Sequence, residues 1–169
     1  MCGRVDAVLY ALPALPLLVR FAICLRYRQF MGEQLSDEAL DRADHRTIVG
    51  GLGGFSFAGL FALVALPGME ERRLAIWFVL VSSLCLLATL NLQSYKALRW
   101  HDMVGDALLD TANLSLVAAV AVFIARSELS LAFKVASATL AFAVWISDFV
   151  IRVRLTAQFL EAKEAHHGK

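Results

Sequence analysis

Apolar residues fill five long stretches of this chain, and short polar segments separate them. A hydrocarbon core about 30 Å thick needs about 20 apolar residues per helical crossing. On that measure the stretches predict five spans: Ala7–Leu25, Ile48–Pro67, Leu74–Leu92, Ala107–Ala125 and Ser130–Ile151. They are too long for barrel strands and lack the period-two alternation a barrel needs. The expected fold is an all-α, polytopic transmembrane bundle, a single integral membrane domain over residues 1–169. The first span carries Pro13, Pro16 and Arg20, which predicts a kinked or tilted helix. The fourth has Asp110 and Asn113 in its first turns. In a four-span version the first stretch lies on the membrane surface.

The connections are also readable. Gly68–Arg73 and Arg126–Glu128 predict tight antiparallel hairpins of spans two and three and of spans four and five. Ser36, Asp37 and Glu38 place a capping hydroxyl and acids at a helix N-terminus, so a short cytosolic helix is expected over residues 33–46. A second, mixed in charge, is expected over 155–165. No Gly or Pro interrupts Met69–Val104, which predicts that span three continues as helix past Trp100. Trp77 and Trp100 then mark its two ends, as interfacial tryptophans do.

Composition agrees with this reading. Hydrophobic residues make up 59% of the 169 and charged residues only 18%, against about a quarter in soluble domains. The mean hydropathy is +0.65. There is no internal repeat or low-complexity segment. Met1–Asp6 holds one Arg and one Asp, a poor signal-peptide leader, so the first span is expected to be a retained helix. Cys2, Cys24 and Cys85 are far apart and form no C-x-x-C pair, so neither a disulfide nor a metal site is expected. Nothing predicts a cofactor.

The net charge of +1 carries no prediction, and no nucleic-acid partner is expected. The distribution of basic residues does carry one, because Lys and Arg accumulate in cytoplasmic loops. With the N-terminus outside, ten basic residues fall inside (Arg26 and Arg28 through Arg99 to Lys169) and four outside (Arg4, Arg72, Arg73 and Arg126). The expectation is a bacterial inner-membrane protein, N-terminus out and C-terminus cytosolic.

Three groups of residues inside the spans are candidates for function. Gly50, Gly54, Ala58 and Ala62 recur every four residues and form a smooth ridge on span two. Helices in lipid associate through close backbone approach, which small residues permit. Packing within the chain is the first expectation for this ridge, and packing between subunits or gating the second. Arg20, Asp148 and Arg152 form an intramembrane charge layer near the inner leaflet. Ions in lipid pair or face water, which predicts a water-filled vestibule with Arg20 and Asp148 coupled. A blander arrangement pairs Asp148 with Arg152 at i, i+4. Asp102, Asp106 and Asp110, with Asn113 beside them, make an acidic ridge running from the cytosol into the membrane. Such ridges become cation-selective rings in oligomers.

These features rank three functions. The first is a small homo-oligomeric channel or pore-forming subunit, preferring cations, with the lipid bilayer as its surroundings. The second is a non-catalytic accessory or scaffold protein that binds a membrane-protein partner through its glycine-rich helix. The third, an enzyme acting on lipid phosphates with Mg²⁺, rests on the Asp-x-x-x-Asp spacing alone, because clustered carboxylates suit hard cations. No catalytic residue is assigned.

Overall fold

The computed structural model describes residues 8–34, 43–65, 69–94 and 98–167, with side chains over 8–34, 49–65, 72–92 and 98–165. Five helices account for most of these residues: α1 Ala14–Arg26, α2 Ala43–Ala65, α3 Met69–Ser94, α4 Arg99–Arg126 and α5 Leu131–His167. Among the described residues there is no strand, only an isolated bridge between Gln34 and Leu98.

Three helices are long and apolar enough to cross a membrane, over Arg72–Leu92, Arg99–Arg126 and Leu131–Ala165; Val49–Ala65 is apolar but shorter. The first span shows why five crossings do not follow from length alone. Its backbone makes a turn of helix at residues 8–11, breaks at Leu12 and Pro13, and restarts at Ala14. Proline lacks an N–H and clashes with the preceding turn, so a mid-span Pro divides a helix. The 13 residues of α1 then rise only about 20 Å at 1.5 Å per residue.

α4 is the central helix. It packs against α3, α1 and α5, while α2 packs chiefly against α3. Half of α4's apolar stretch is buried, against 11% of that in α5. The α3–α4 contact is built from small side chains. Ala75, Ser82, Ser83, Ala112, Ser115, Ala118 and Ala119 are all buried, which lets the two backbones approach. Ser83 and Ser115 donate back to the carbonyls of Val79 and Thr111, both at 2.8 Å. The hydroxyls of Ser56 and Ser82 are buried without a hydrogen-bond partner among the described residues.

Three expected elements are corrected. Span three does not run past Trp100: α3 ends at Ser94, and Leu98 is extended (φ −123°, ψ 149°) before α4 begins at Arg99. Trp100 therefore belongs to the start of α4. The tail is not a separate helix, since α5 runs unbroken for 37 residues. The helix expected over 33–46 is also redrawn. Glu33 and Gln34 are non-helical, residues 43–46 belong to α2, and Ser36, Asp37 and Glu38 lie outside the described residues.

At the Trp100 end, a 3-10 turn over Arg28–Phe30 follows α1. The chain beyond it feeds the free N–H groups of α4. Arg99 N–H donates to the Glu33 carbonyl at 2.9 Å, and Trp100 N–H donates to that of Met31 at 3.2 Å. Helix N-termini leave such donors open, so the α1 exit is stitched to the α4 entrance by backbone bonds.

Candidate functional site

The charged residues inside the helices meet on α4. Arg20 and Asp110 are the centre, and they are 1% and 2% exposed. Arg20 Nε and Nη2 donate to the same Asp110 oxygen, Oδ2, at 3.0 and 2.8 Å. Arg20 Nη1 donates to Thr156 Oγ1 of α5 at 3.1 Å and lies 3.9 Å from Asp106 Oδ2. Thr156 Oγ1 in turn donates a hydrogen bond to the Arg152 carbonyl at 2.9 Å. Trp145 Nε1 donates to the Asp110 carbonyl at 3.4 Å, and its ring stacks on Phe149. One guanidinium thus joins α1, α4 and α5.

This geometry differs from the expected vestibule in two respects. The coupled pair is Arg20 with Asp110, not Arg20 with Asp148. Asp148 instead pairs within its own helix with Arg152 Nε at 2.9 Å, and both side chains remain substantially exposed. The centre is also buried, with the guanidinium held by Asp110 and Thr156. An ion pair held this way acts as a fastener between helices, since losing either partner strands a buried charge.

The acidic ridge is divided by the same contacts. Asp110 turns to Arg20. Asp106 keeps about a third of its side chain exposed, and Asp102 is half-buried. Asn113 faces the other way, into an open groove of about 440 Å³ between α4 and α5, where Asp148, Ala141 and Trp145 also lie. At the other end of α4, Lys134 Nζ of α5 donates to the Ala125 carbonyl at 3.0 Å and caps the helix. Among the described residues, no three of His, Cys, Asp and Glu converge as metal ligands.

The small-residue ridge of α2 lies on the outside of the molecule. Gly54, Ala58 and Ala62 are exposed and Gly50 is half-buried. A Cβ added at Gly50 or Gly54 would meet nothing within 4 Å. The in-chain contact uses a different stripe: Val49, Gly53, Ser56 and Leu63 are buried, and a Cβ at Gly53 would stand 3.8 Å from Leu86 Cβ. At 3.6 residues per turn the two stripes fall on roughly opposite faces. The first expectation for this ridge, packing within the chain, is therefore corrected.

Sequence reasoning missed Thr156, Glu33 and Tyr27. Glu33 bonds Lys163 and lies 3.5 Å from Arg99 Nη2. Tyr27 donates to Glu161 at 3.3 Å, and Tyr27, Phe30 and Leu160 form one apolar cluster. Together these fasten the far end of α5 to the α1 exit. Apart from the alternating apolar and charged residues of the tail, no sequence signal points to these partners. At the opposite end of the bundle, Arg73 Nε donates to the Tyr10 hydroxyl at 3.0 Å and Trp77 stacks edge-on against Tyr10. No protein-family model, curated protein or solved structure matches the chain.

Proposed function

We propose that this chain is a non-catalytic membrane subunit that works by assembly, with the outer ridge of α2 as its contact face. The observation that carries this reading is the exposure of Gly54, Ala58 and Ala62 while another stripe of α2 does the in-chain packing. Phe55 and Phe61, 77% and 73% exposed, stand on either side of the ridge and make it the floor of a shallow trough. Apolar side chains gain nothing from leaving lipid for a partner, but a smooth ridge lets a second backbone come close. The same trough is self-complementary in two copies that share one membrane orientation, as a two-fold interface requires. In this reading the chain crosses five times, N-terminus out, as the basic residues favour. Native mass in detergent tests it. The wild type should run as an oligomer or with a bound partner protein, and Gly54→Leu should run as the bare monomer. An unchanged mass for that variant would refute the ridge as contact face.

A second reading is the cation-preferring channel. The observation that favours it is the open groove between α4 and α5, which brings the Asn113 amide and the Asp148 carboxylate together. Assembly would have to close that groove into a pore. Conductance in liposomes that Asp148→Asn alters supports it, and silent bilayers from folded oligomers retire it.

A further inference from the structure

α5 is the longest described helix and the least buried of the three that are long enough to cross a membrane. Trp145, Phe149 and Leu160 turn into the bundle. On a separate face, Val144, Asp148, Ile151, Leu155, Phe159 and Ala162 fall within about a quarter of the circumference at 3.6 residues per turn, and all six are exposed. Leu155 and Phe159 are 60% and 56% exposed, although the Arg99 guanidinium rests over one face of the Phe159 ring at 5.0 Å. At its membrane end the stripe borders the open groove beside Asn113, which Val144 and Asp148 help to line.

This stripe crosses a boundary. Ser130–Ile151 rises about 33 Å at 1.5 Å per residue, which fills a hydrocarbon core about 30 Å thick. Phe159 then stands about 12 Å further along the axis, among Arg152, Arg154, Glu161, Lys163 and Glu164. Lipid tails cover Val144 and Ile151 but do not reach Phe159, and a soluble partner on Leu155 and Phe159 would leave Val144 bare. A helix that leaves the membrane at the same level covers both parts. The charges say which helix. Arg152 Nε pairs with Asp148 Oδ2 at 2.9 Å, and the two side chains are 37% and 51% exposed. Arginine carries five N–H donors, and among the described residues Nη1 and Nη2 of Arg152 have no partner. A face with both signs one turn apart is complementary to its own copy: about a two-fold axis along the membrane normal, Arg152 of each protomer meets Asp148 of the other. We infer that α5 packs along this stripe against α5 of a second copy in the same membrane orientation. About 27 Å long and about 10 Å wide, the stripe falls short of the about 800 Å² that each partner gives a standard interface. The contact therefore forms at membrane density and separates on dilution in detergent, where native mass reads the α2 ridge. The inference rests on the reading of the chain as a subunit that works by assembly, and it adds a second contact on a different helix.

Disulfide cross-linking of the whole chain in membranes of expressing cells tests it, with the native cysteines replaced by serine. On oxidation, Leu155→Cys and Ala162→Cys should each give a band of two chains, while Arg154→Cys and Glu164→Cys, exposed on other faces, should stay single. Arg152→Asp sets acids against acids across the axis and should abolish linking at Ala162→Cys. The exchange Asp148→Arg/Arg152→Asp restores both signs and should bring the linked band back. Asp148→Arg, which sets cations against cations, replaces Arg152→Asp if that variant fails to insert. Equal linking at all four positions, or at none, overturns the proposal. So does linking that survives the single charge reversal, an exchange that fails to restore it, or a linked band of another mass, which would put a different protein on the stripe. In Gly54→Leu the pattern should persist. Its loss there would overturn α5 as a contact of its own, whereas the native mass of Gly54→Leu reports on the α2 ridge separately.

Discussion

Removing one partner of the Arg20–Asp110 pair should damage the fold more than removing both. At 2.8 Å the attraction is about 6 kcal/mol with an effective dielectric near 20. Desolvation of two ions cancels much of that, and the measured cost of breaking such a pair from one side is about 3–5 kcal/mol. Arg20→Met strands the Asp110 carboxylate among apolar side chains and also leaves Thr156 Oγ1 without its donor. Asp110→Leu strands the guanidinium, whose other carboxylate among the described residues is Asp106 at 3.9 Å. Each single variant should lose about 3–5 kcal/mol, while the double variant Arg20→Met/Asp110→Leu should recover at least about 2 kcal/mol of the summed loss. The assay is reversible unfolding in mixed micelles, followed by circular dichroism, for the four members of the cycle. Losses that simply add would refute the pair as a fastener. Equal stability of all four proteins would show that α1 is held by its apolar contacts and backbone bonds alone.

Four further outcomes follow from the packing. Gly53→Leu should destabilise the folded chain by about 1–3 kcal/mol, because its added atoms reach towards Leu86. Gly54→Leu should alter the native mass and leave unfolding of the dissociated chain unchanged, so a loss of stability in the dissociated chain would count against the assignment of faces. Ser82→Ala should be neutral or stabilising by up to about 1 kcal/mol in the same unfolding assay, since its buried hydroxyl has no partner; a marked loss would reveal a bond made in the membrane. Glu33→Gln should release Lys163 and loosen Arg99, seen as faster amide exchange over Leu155–Ala165, with a stability cost near 1 kcal/mol. Unchanged exchange there would mean that the Tyr27, Phe30 and Leu160 cluster holds the tail unaided.

Local pattern decided what could be read without coordinates. The apolar runs identified the helices of α2 to α5 because a chain in lipid must satisfy its backbone internally, and a helix does so residue by residue. The Pro13 break was legible for the same reason, as a missing N–H is a local fact. The i, i+4 pairing of Asp148 with Arg152 was legible too, since one helix contains both. Chain direction did not show that α3 stops at Ser94, because Met69–Val104 holds no Gly or Pro to announce it. The break coincides with backbone bonds from Glu33 and Met31 to α4, made by residues more than sixty positions away.

Periodicity placed Gly50, Gly54, Ala58 and Ala62 on one face, but two faces of α2 carry small residues. Which of them turned inward was settled by the fit of Val49 and Gly53 around Leu86 on α3. Likewise, composition and spacing put Arg20, Asp110 and Asp148 in the membrane without saying which of them meet. That choice needed the angular position of α1 against α4 and of α5 against both, a property of three packed helices and of no single one. Hydrophobic run length is additive along a chain and survives in one dimension, whereas the neighbour of a buried charge depends on rotations about helix axes, which only packing sets.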